Sequence, residues 1–404
     1  MSSTSPTAPA TDRRAYRMPS LDILRGLVIV VMGLDHVRDF VMTAAVQDPT
    51  ADPGSSPGLF ATRWITHFCA PTFVFLAGTS AGLMASRKSS AEMATFLLTR
   101  GLWLIFLEMF VVSTAWTFAP TGLAGFGDRI YFGLQVIWAI GASMVILAGA
   151  QFLGKRVCLA IGVAILLGHD LLNAVWPAAS TTGTTGPLWV ALHARQLHEV
   201  GPFRIFFSYP LLPWIGVMFA GYGAAGLFEL PEKQRTKRLL QIGTILIVAF
   251  IVLRALNGYG DPNPWRPDPG NVAASVMSFL GTSKYPPSLL YLLMTLGPAA
   301  IACAFVGRLP ERVRNPLVIF GRAPLAFYLA HLYLIHAVAV LLGIAQGFAA
   351  HQFLTHYRFF PDGFGVGLLG VYAIWIAVVA LLYPLCRWVA GVKARRQDWW
   401  LSYV

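Results

Sequence analysis

The sequence predicts an all-α polytopic membrane bundle of about ten transmembrane helices with both termini cytoplasmic. Three observations carry this. Apolar residues make up 56% of the 404-residue chain and charged residues only 12%, against about 25% charged in soluble domains. The mean hydropathy is +0.63, so the apolar excess must face lipid. The net charge of +12 comes from basic residues grouped between apolar runs, which is a topogenic pattern. They do not cluster with interleaved aromatics, and this excludes nucleic acid as a partner.

Residues 1–18, rich in Ser, Thr, Pro and Ala and ending near Arg13, Arg14 and Arg17, read as a disordered cytoplasmic tail. The apolar run that follows is long and ends in no small-residue cleavage site, so it is a retained span and not a signal peptide. Ten runs are long enough to cross a bilayer: 21–44, 65–86, 95–117, 130–153, 157–176, 205–228, 238–257, 285–306, 316–343 and 366–391. The stretch 186–204 is too short and polar to span and reads as interfacial or re-entrant. Together these place a membrane domain over 19–392 and a basic cytoplasmic tail over 393–404.

The basic residues sort by side. Arg87, Lys88, Lys155, Arg156, the 233–238 cluster, Arg308, Arg312 and Arg314 join both tails on one side, while Arg63, Arg129, Arg195, Arg204, Arg266, Lys284 and Arg358 lie on the other. The first side is cytoplasmic by the positive-inside rule. The expected location is the plasma (inner) membrane, with the chain passing through it many times. Cys69, Cys158, Cys303 and Cys386 are scattered in or beside apolar runs, with no C-x-x-C pair. They indicate buried thiols, with no disulfide framework and no metal site.

The first span carries Asp22, Arg25, Asp35, His36, Arg38 and Asp39, although a charge at mid-bilayer costs at least about 2.5 kcal/mol. Such residues face a partner or a wet cavity. Asp22 and Arg25 are i,i+3 neighbours and can pair. Arg25 and His36 share a face, about 16 Å apart along the axis. Asp39, one turn beyond His36, is placed to accept an imidazole N–H and fix its tautomer. An ordinary helix-end ion pair and a histidine bonded to a carbonyl are the alternatives.

Leu21-Asp22-x-x-Arg25-Gly26, with the Arg-x10-His spacing to His36, resembles the transmembrane acyltransferases. That group includes the acyltransferase-3 sugar O-acetylases and the heparan-α-glucosaminide N-acetyltransferase family. Arg63-Trp-Ile-Thr-His67-Phe-Cys-Ala-Pro71-Thr-Phe-Val-Phe-Leu-Ala-Gly78, Gly321-Arg322-Ala-Pro324-Leu-Ala-Phe-Tyr328-Leu-Ala-His331, and Tyr383-Pro-Leu-Cys-Arg387-Trp through Asp398-Trp-Trp400 resemble bacterial relatives of the second family. The resemblance covers most of the chain. It implies a catalytic domain over 19–392, a role for His36 in acyl transfer from cytoplasmic acyl-CoA, and donor positioning by Arg25. In the animal lysosomal enzyme an acid stands where His67 does here, and the histidine implicated there lies in the loop before the second span. The choice of catalytic histidine therefore stays open.

His67, at the outer end of the second span, is a candidate to stand beside His36 as general base or acceptor-binding group, or else it caps a helix. Arg100 and Glu108 lie roughly on one face of the third span, with Arg25 or Arg322 as candidate partners for Glu108. Gln135 is a hydrogen-bonding group inside the fourth span. His331 and His336 point to different faces, too poor a pair for a metal, and core hydrogen bonding is expected of one of them. Arg322 suits a CoA phosphate, because guanidinium forks match phosphate geometry.

The expected function is transfer of an acyl group, acetyl foremost, from cytoplasmic acyl-CoA to an amine or hydroxyl of a sugar-like or envelope acceptor. Acyl-CoA is a co-substrate and no cofactor is held permanently. Arg25, Arg100 and Arg322 take the donor. His36 acts as base or acyl carrier with Asp39 or Asp35 orienting it, and His67 is the second histidine. Asp22, Glu108, Gln135 and His331 support them. The partners are acyl-CoA, that acceptor and the bilayer, and a homodimer is compatible with the sequence. The rival class is a proton-coupled small-molecule transporter, because intramembrane Asp, Glu and His also build proton relays.

Overall fold

The computed structural model describes residues 18–43, 48–52, 54–122, 128–174, 186–396 and 398–403. The expected tail with Arg13, Arg14 and Arg17 lies outside these residues.

The chain begins with α1 (Pro19–Val41), α2 (Pro57–Thr66), α3 (Cys69–Ala85) and α4 (Ser90–Phe106). A π-helical turn, Leu107–Val112, leads into α5 (Ser113–Thr117), then β1 (Ile130–Leu134), α6 (Val136–Ala150) and α7 (Lys155–Gly168). The short α8 (Pro187–Leu192), β2 (Leu197–Val200) and β3 (Phe203–Phe207) precede α9 (Leu211–Gly223), α10 (Glu232–Leu256) and α11 (Val272–Leu280). The last elements are α12 (Leu289–Phe305), α13 (Glu311–Arg322), α14 (Pro324–Ala345) and α15 (Leu368–Arg395). Among the described residues, nine helical segments are long and apolar enough to cross a membrane. With α1 they correspond to the ten runs read from sequence. α1 carries too many charges to qualify by composition, yet it packs against α3, α13, α14 and α15. Its polar groups face the neighbouring helices and the cavity they enclose.

Local sequence explains its ends. Pro19 sits in the first turn, where its missing N–H costs nothing. Asp22 near the start and Arg38 in the last turn both complement the helix dipole. The crossing of α1 with α13 is set by two glycines. A Cβ on Gly26 would stand 1.8 Å from the Leu317 carbonyl oxygen, and one on Gly321 would stand 1.8 Å from that of Asp22. Backbone touches backbone there, as small residues allow in membrane helices.

Two stretches read as membrane helix begin as strand. Ile130–Leu134, expected inside the fourth span, is β1, and Phe203–Phe207, overlapping the expected start of the sixth, is β3. With β2 they form a small sheet of order β1-β3-β2, in which β1 runs parallel and β2 antiparallel to β3. Hydropathy alone cannot separate a short apolar strand from a helical turn. The stretch 186–204 supplies α8 and β2 and does not span. Beyond 392, α15 runs on to Arg395, and a 3₁₀ turn Trp399–Ser402 follows. The Tyr403 hydroxyl then meets Thr99 Oγ1 at 2.7 Å. All four cysteines are buried and free.

Candidate active site

A cavity of ≈ 620 Å³ opens at one end of the bundle between α1, α3, α4, α6, α13 and α14. Its lining is cationic at the mouth and apolar inside. Arg25, Arg100 and Arg322, read from sequence as one set, all line it. Arg87 and Lys393 join them, and among the described residues Asp22 is the single carboxylate in the lining. Arg25 bonds Asp22 at 2.9 Å, Ser80 Oγ at 3.2 Å and the Gly321 carbonyl at 3.3 Å. Arg322 Nε lies 3.5 Å from Asp22. Asp22 therefore holds two guanidiniums side by side, in the arrangement that anionic oxygens bind. Farther in, Ile29, Met32, Val136, Ile137 and Tyr328 replace the charges.

Met32 precedes His36 by one turn of α1, and Tyr328 precedes His331 by about one turn of α14. The Tyr328 and His331 rings are 5.6 Å apart, so the apolar end of the cavity stops about one helical turn short of the two histidines, which do not line it. His36 Nδ1 meets His331 Nε2 at 2.7 Å, and His331 Nδ1 meets the Phe327 carbonyl at 3.0 Å. A carbonyl only accepts, so His331 carries its proton on Nδ1 and presents the Nε2 lone pair. His36 must then donate from Nδ1, which leaves its Nε2 lone pair uncommitted among the described residues. Trp116 packs against the His36 imidazole with ring centres 5.1 Å apart. His331 is fully buried, whereas His36 is only half-buried.

This corrects the expected role of Asp39. It pairs with Arg38 at 2.6 Å, and the group orienting His36 is His331 from α14. Asp35, the other expected orienter, faces away into a buried charge cluster. It pairs with Arg63, lies 3.2 Å from Arg38 and stands 4.0 Å from Lys284. Arg63 Nε is 3.7 Å from Asp48. Three cations thus meet the carboxylates of Asp35, Asp39 and Asp48, as buried charges require. Burial raises the Asp48 carboxyl, but Arg63 and His67 outweigh this and hold it at about 2. Beside the cluster Tyr285 is likewise raised by burial, yet Lys284, Arg63 and Arg195 bring it below the ordinary phenol value. The Arg195 guanidinium lies 4.4 Å over the Tyr285 ring. Lys284 and Arg195 were read from sequence only as loop charges, and Arg63 as a loop charge within a family-like motif. Arg63 opens the second-span motif, and that was the available signal.

His67 occupies the break between α2 and α3, fully buried and edge-on to Tyr291 at 5.4 Å. The break follows from Pro71. Its missing N–H leaves the His67 carbonyl without a helical partner, and the Tyr291 hydroxyl donates to that oxygen at 2.8 Å. Among the described residues neither ring nitrogen of His67 has a hydrogen-bond partner. His67 borders the charge cluster, and the nitrogen paired with His36 belongs to His331.

Glu108 is corrected as well. It bonds neither Arg25 nor Arg322, because its Oε2 accepts from the Trp138 backbone N–H at 2.9 Å at the start of α6. A carboxylate there satisfies amides that the helix cannot. Glu108 stands in the π-turn Leu107–Val112, a feature often found at functional sites. Gln135 is the residue preceding α6, and its carbonyl accepts from Ala139 N at 3.0 Å. His336 takes the expected core role, between the Ala115 and Phe353 carbonyls at 2.8 and 2.7 Å.

With this geometry in hand, residues 17–259 match the family described as heparan-alpha-glucosaminide N-acetyltransferase, catalytic. The chain belongs to that family. Among curated proteins none matches it. The matched stretch contains α1, the charge cluster up to Arg195 and most of the cavity. Arg322 and His331 lie beyond it and are supplied to the same site by α13 and α14. The protein is a multi-pass membrane protein of an acetyltransferase family, and this favours transferase chemistry over the proton-coupled transporter.

Proposed function

We propose that this family member moves an acetyl group from cytoplasmic acetyl-CoA, across much of the membrane thickness, to an amine or hydroxyl of a sugar-like or envelope acceptor. Both termini are on the cytoplasmic side of the plasma membrane in this reading. The observation that carries it is the cavity with Arg25, Arg100 and Arg322 at its mouth and Met32 and Tyr328 at its inner end. Its size lies in the usual range for small-molecule sites. Phosphates sit at the cationic mouth, and the pantetheine arm follows the apolar part. The thioester then arrives near His36, about 16 Å from Arg25 along the axis of α1.

His36 Nε2 takes a proton from the acceptor N–H or O–H as that nitrogen or oxygen attacks the thioester carbonyl carbon. The tetrahedral intermediate collapses, the C–S bond breaks, and the departing thiolate takes the proton back from Nε2. His331 holds His36 in the tautomer this needs and shares the positive charge through the Nδ1 hydrogen bond. Asp35 and Asp39 fix the end of α1 through Arg38, Arg63 and Lys284, so they position the base without contacting it. His67 is a further positioning group at the edge of that cluster. The test is acetyl-CoA turnover by His36→Ala with a competent amino-sugar acceptor. Turnover equal to wild type would remove His36 from the chemistry, and failure of the purified protein to bind acetyl-CoA would remove the donor assignment.

A further inference from the structure

We propose that a groove on the outer face of α15 binds the headgroup phosphate of an anionic phospholipid. On one side α15 contributes Lys393 to the large cavity, where its Nζ donates to the Arg322 carbonyl at 3.2 Å. Another face of the same helix forms a second cavity of ≈ 360 Å³, lined by Tyr383, Pro384, Arg387, Trp388, Gly391 and Arg395. These residues follow the i, i+4, i+8 ridge of the helix.

Gly391 makes the groove. A Cβ there would stand 3.1 Å from Arg395 Nη1. The glycine therefore lets the Arg395 guanidinium fold back along the helix to within about one turn of Arg387. The neighbouring carboxylate of Asp398 faces Arg396 instead, at 3.9 Å. Among the described residues Arg387 and Arg395 have no ion pair and no hydrogen bond. Two like charges brought into one groove repel unless an anion lies between them, and guanidinium forks match phosphate oxygens.

The surroundings select a lipid as the carrier of that phosphate. Trp388 is 64% exposed and Leu381 65% exposed on this part of α15. An amphipathic aromatic at this position marks a headgroup boundary, and the leucine one to two turns deeper offers hydrocarbon to an acyl chain. A soluble anion would satisfy the arginines but leave this apolar flank in water. The groove lies at the same end of the bundle as the mouth of the large cavity, because Lys393 and Arg395 are neighbours on the last turn of α15.

The test is native mass spectrometry of the full chain in detergent, titrated with phosphatidylglycerol and, separately, phosphatidylcholine. Wild type should retain one tightly held phosphatidylglycerol in preference to phosphatidylcholine. Arg387→Gln with Arg395→Gln should weaken that retention by roughly 30-fold, the product of two surface cation contributions. Gly391→Leu, which blocks the fold-back of Arg395, should weaken it as well. Arg314→Gln, an exposed arginine facing Glu311, should not. Gel filtration checks that each variant stays monodisperse, and Arg395→Gln alone provides a milder change at the outermost position. Equal retention in the double variant and wild type, or equal retention of the two lipids by wild type, would overturn the proposal.

Discussion

His36 of α1 and His331 of α14 meet nitrogen to nitrogen at 2.7 Å, and the bond from His331 Nδ1 to the Phe327 carbonyl decides which nitrogen of His36 carries the proton. The chain is a carbonyl, a buried imidazole and a half-exposed imidazole. Its outcome is a lone pair on His36 Nε2, one turn of α1 beyond Met32 at the inner end of a cation-mouthed cavity. Replacing His36 with Ala is expected to lower acetyl transfer by about 10²–10⁴-fold with donor affinity retained. Turnover and acetyl-CoA binding measured on the same preparation check this.

His331→Phe keeps the ring but removes the acceptor for His36 Nδ1–H. It should lower kcat by about ten-fold or more, with little change in the KM for donor, because general-base chemistry weakens when the tautomer is no longer fixed. His331→Gln, which can still accept from His36, should recover part of the loss. A loss expressed equally in donor KM would mean His331 only shapes the cavity.

Arg25, Arg100 and Arg322 converge on one cavity from three helices. Changing Arg100 or Arg322 to Gln should raise the donor KM by about ten-fold each, the value of a charge-assisted hydrogen bond, while kcat stays near wild type. An arginine that binds phosphate should lose its effect with a truncated donor lacking the nucleotide phosphates. An unchanged ratio between the two donors would place that arginine outside the donor site.

Asp35 holds Arg63, Arg38 and Lys284 together in a site with almost no solvent. Asp35→Ala leaves Lys284 without its carboxylate and Arg38 and Arg63 with only Asp39 and Asp48, and should destabilise the protein by about 3–5 kcal/mol, seen as a lowered Tm in detergent. Asp39→Ala, at the more open edge of the cluster, should cost less. Equal effects would show that the cluster is solvated.

His356 lies in the loop before α15, next to Trp116 at 5.9 Å between ring centres, and burial pushes its imidazole down to about 3. The folded protein thus disfavours the proton that the unfolded chain accepts near pH 6.5. Stability should be constant above that pH and fall below it, by up to about 1.4 kcal/mol per pH unit, until pH approaches 3. Thermal unfolding of wild type and His356→Gln between pH 7.5 and pH 5 checks this, and the variant should show the shallower slope.

What the sequence determined by itself is local. An apolar run of membrane length is a property of its own residues, so the nine apolar helices, the charge-bearing first helix and the arginines bound for one cavity were legible. The resemblance carried by Arg25, His36 and the His67–Gly78 stretch pointed to the same family that the match over residues 17–259 shows. Where the run was short, hydropathy misread Ile130–Leu134 as helix, because strand and helix bury the same side chains.

Only the tertiary structure decided the partners. Asp39 was the nearest acceptor for His36 along α1, yet Arg38 occupies it, and His331 arrives from a helix almost three hundred residues away. Glu108 was assigned an arginine and receives the amides of α6. The physical reason is the same in each case. A buried polar group must be satisfied by whatever the packing brings within hydrogen-bond reach. That depends on how each helix is rotated and shifted against its neighbours, set here by contacts such as Gly26 on Leu317 and Gly321 on Asp22. No spacing within a single helix encodes it.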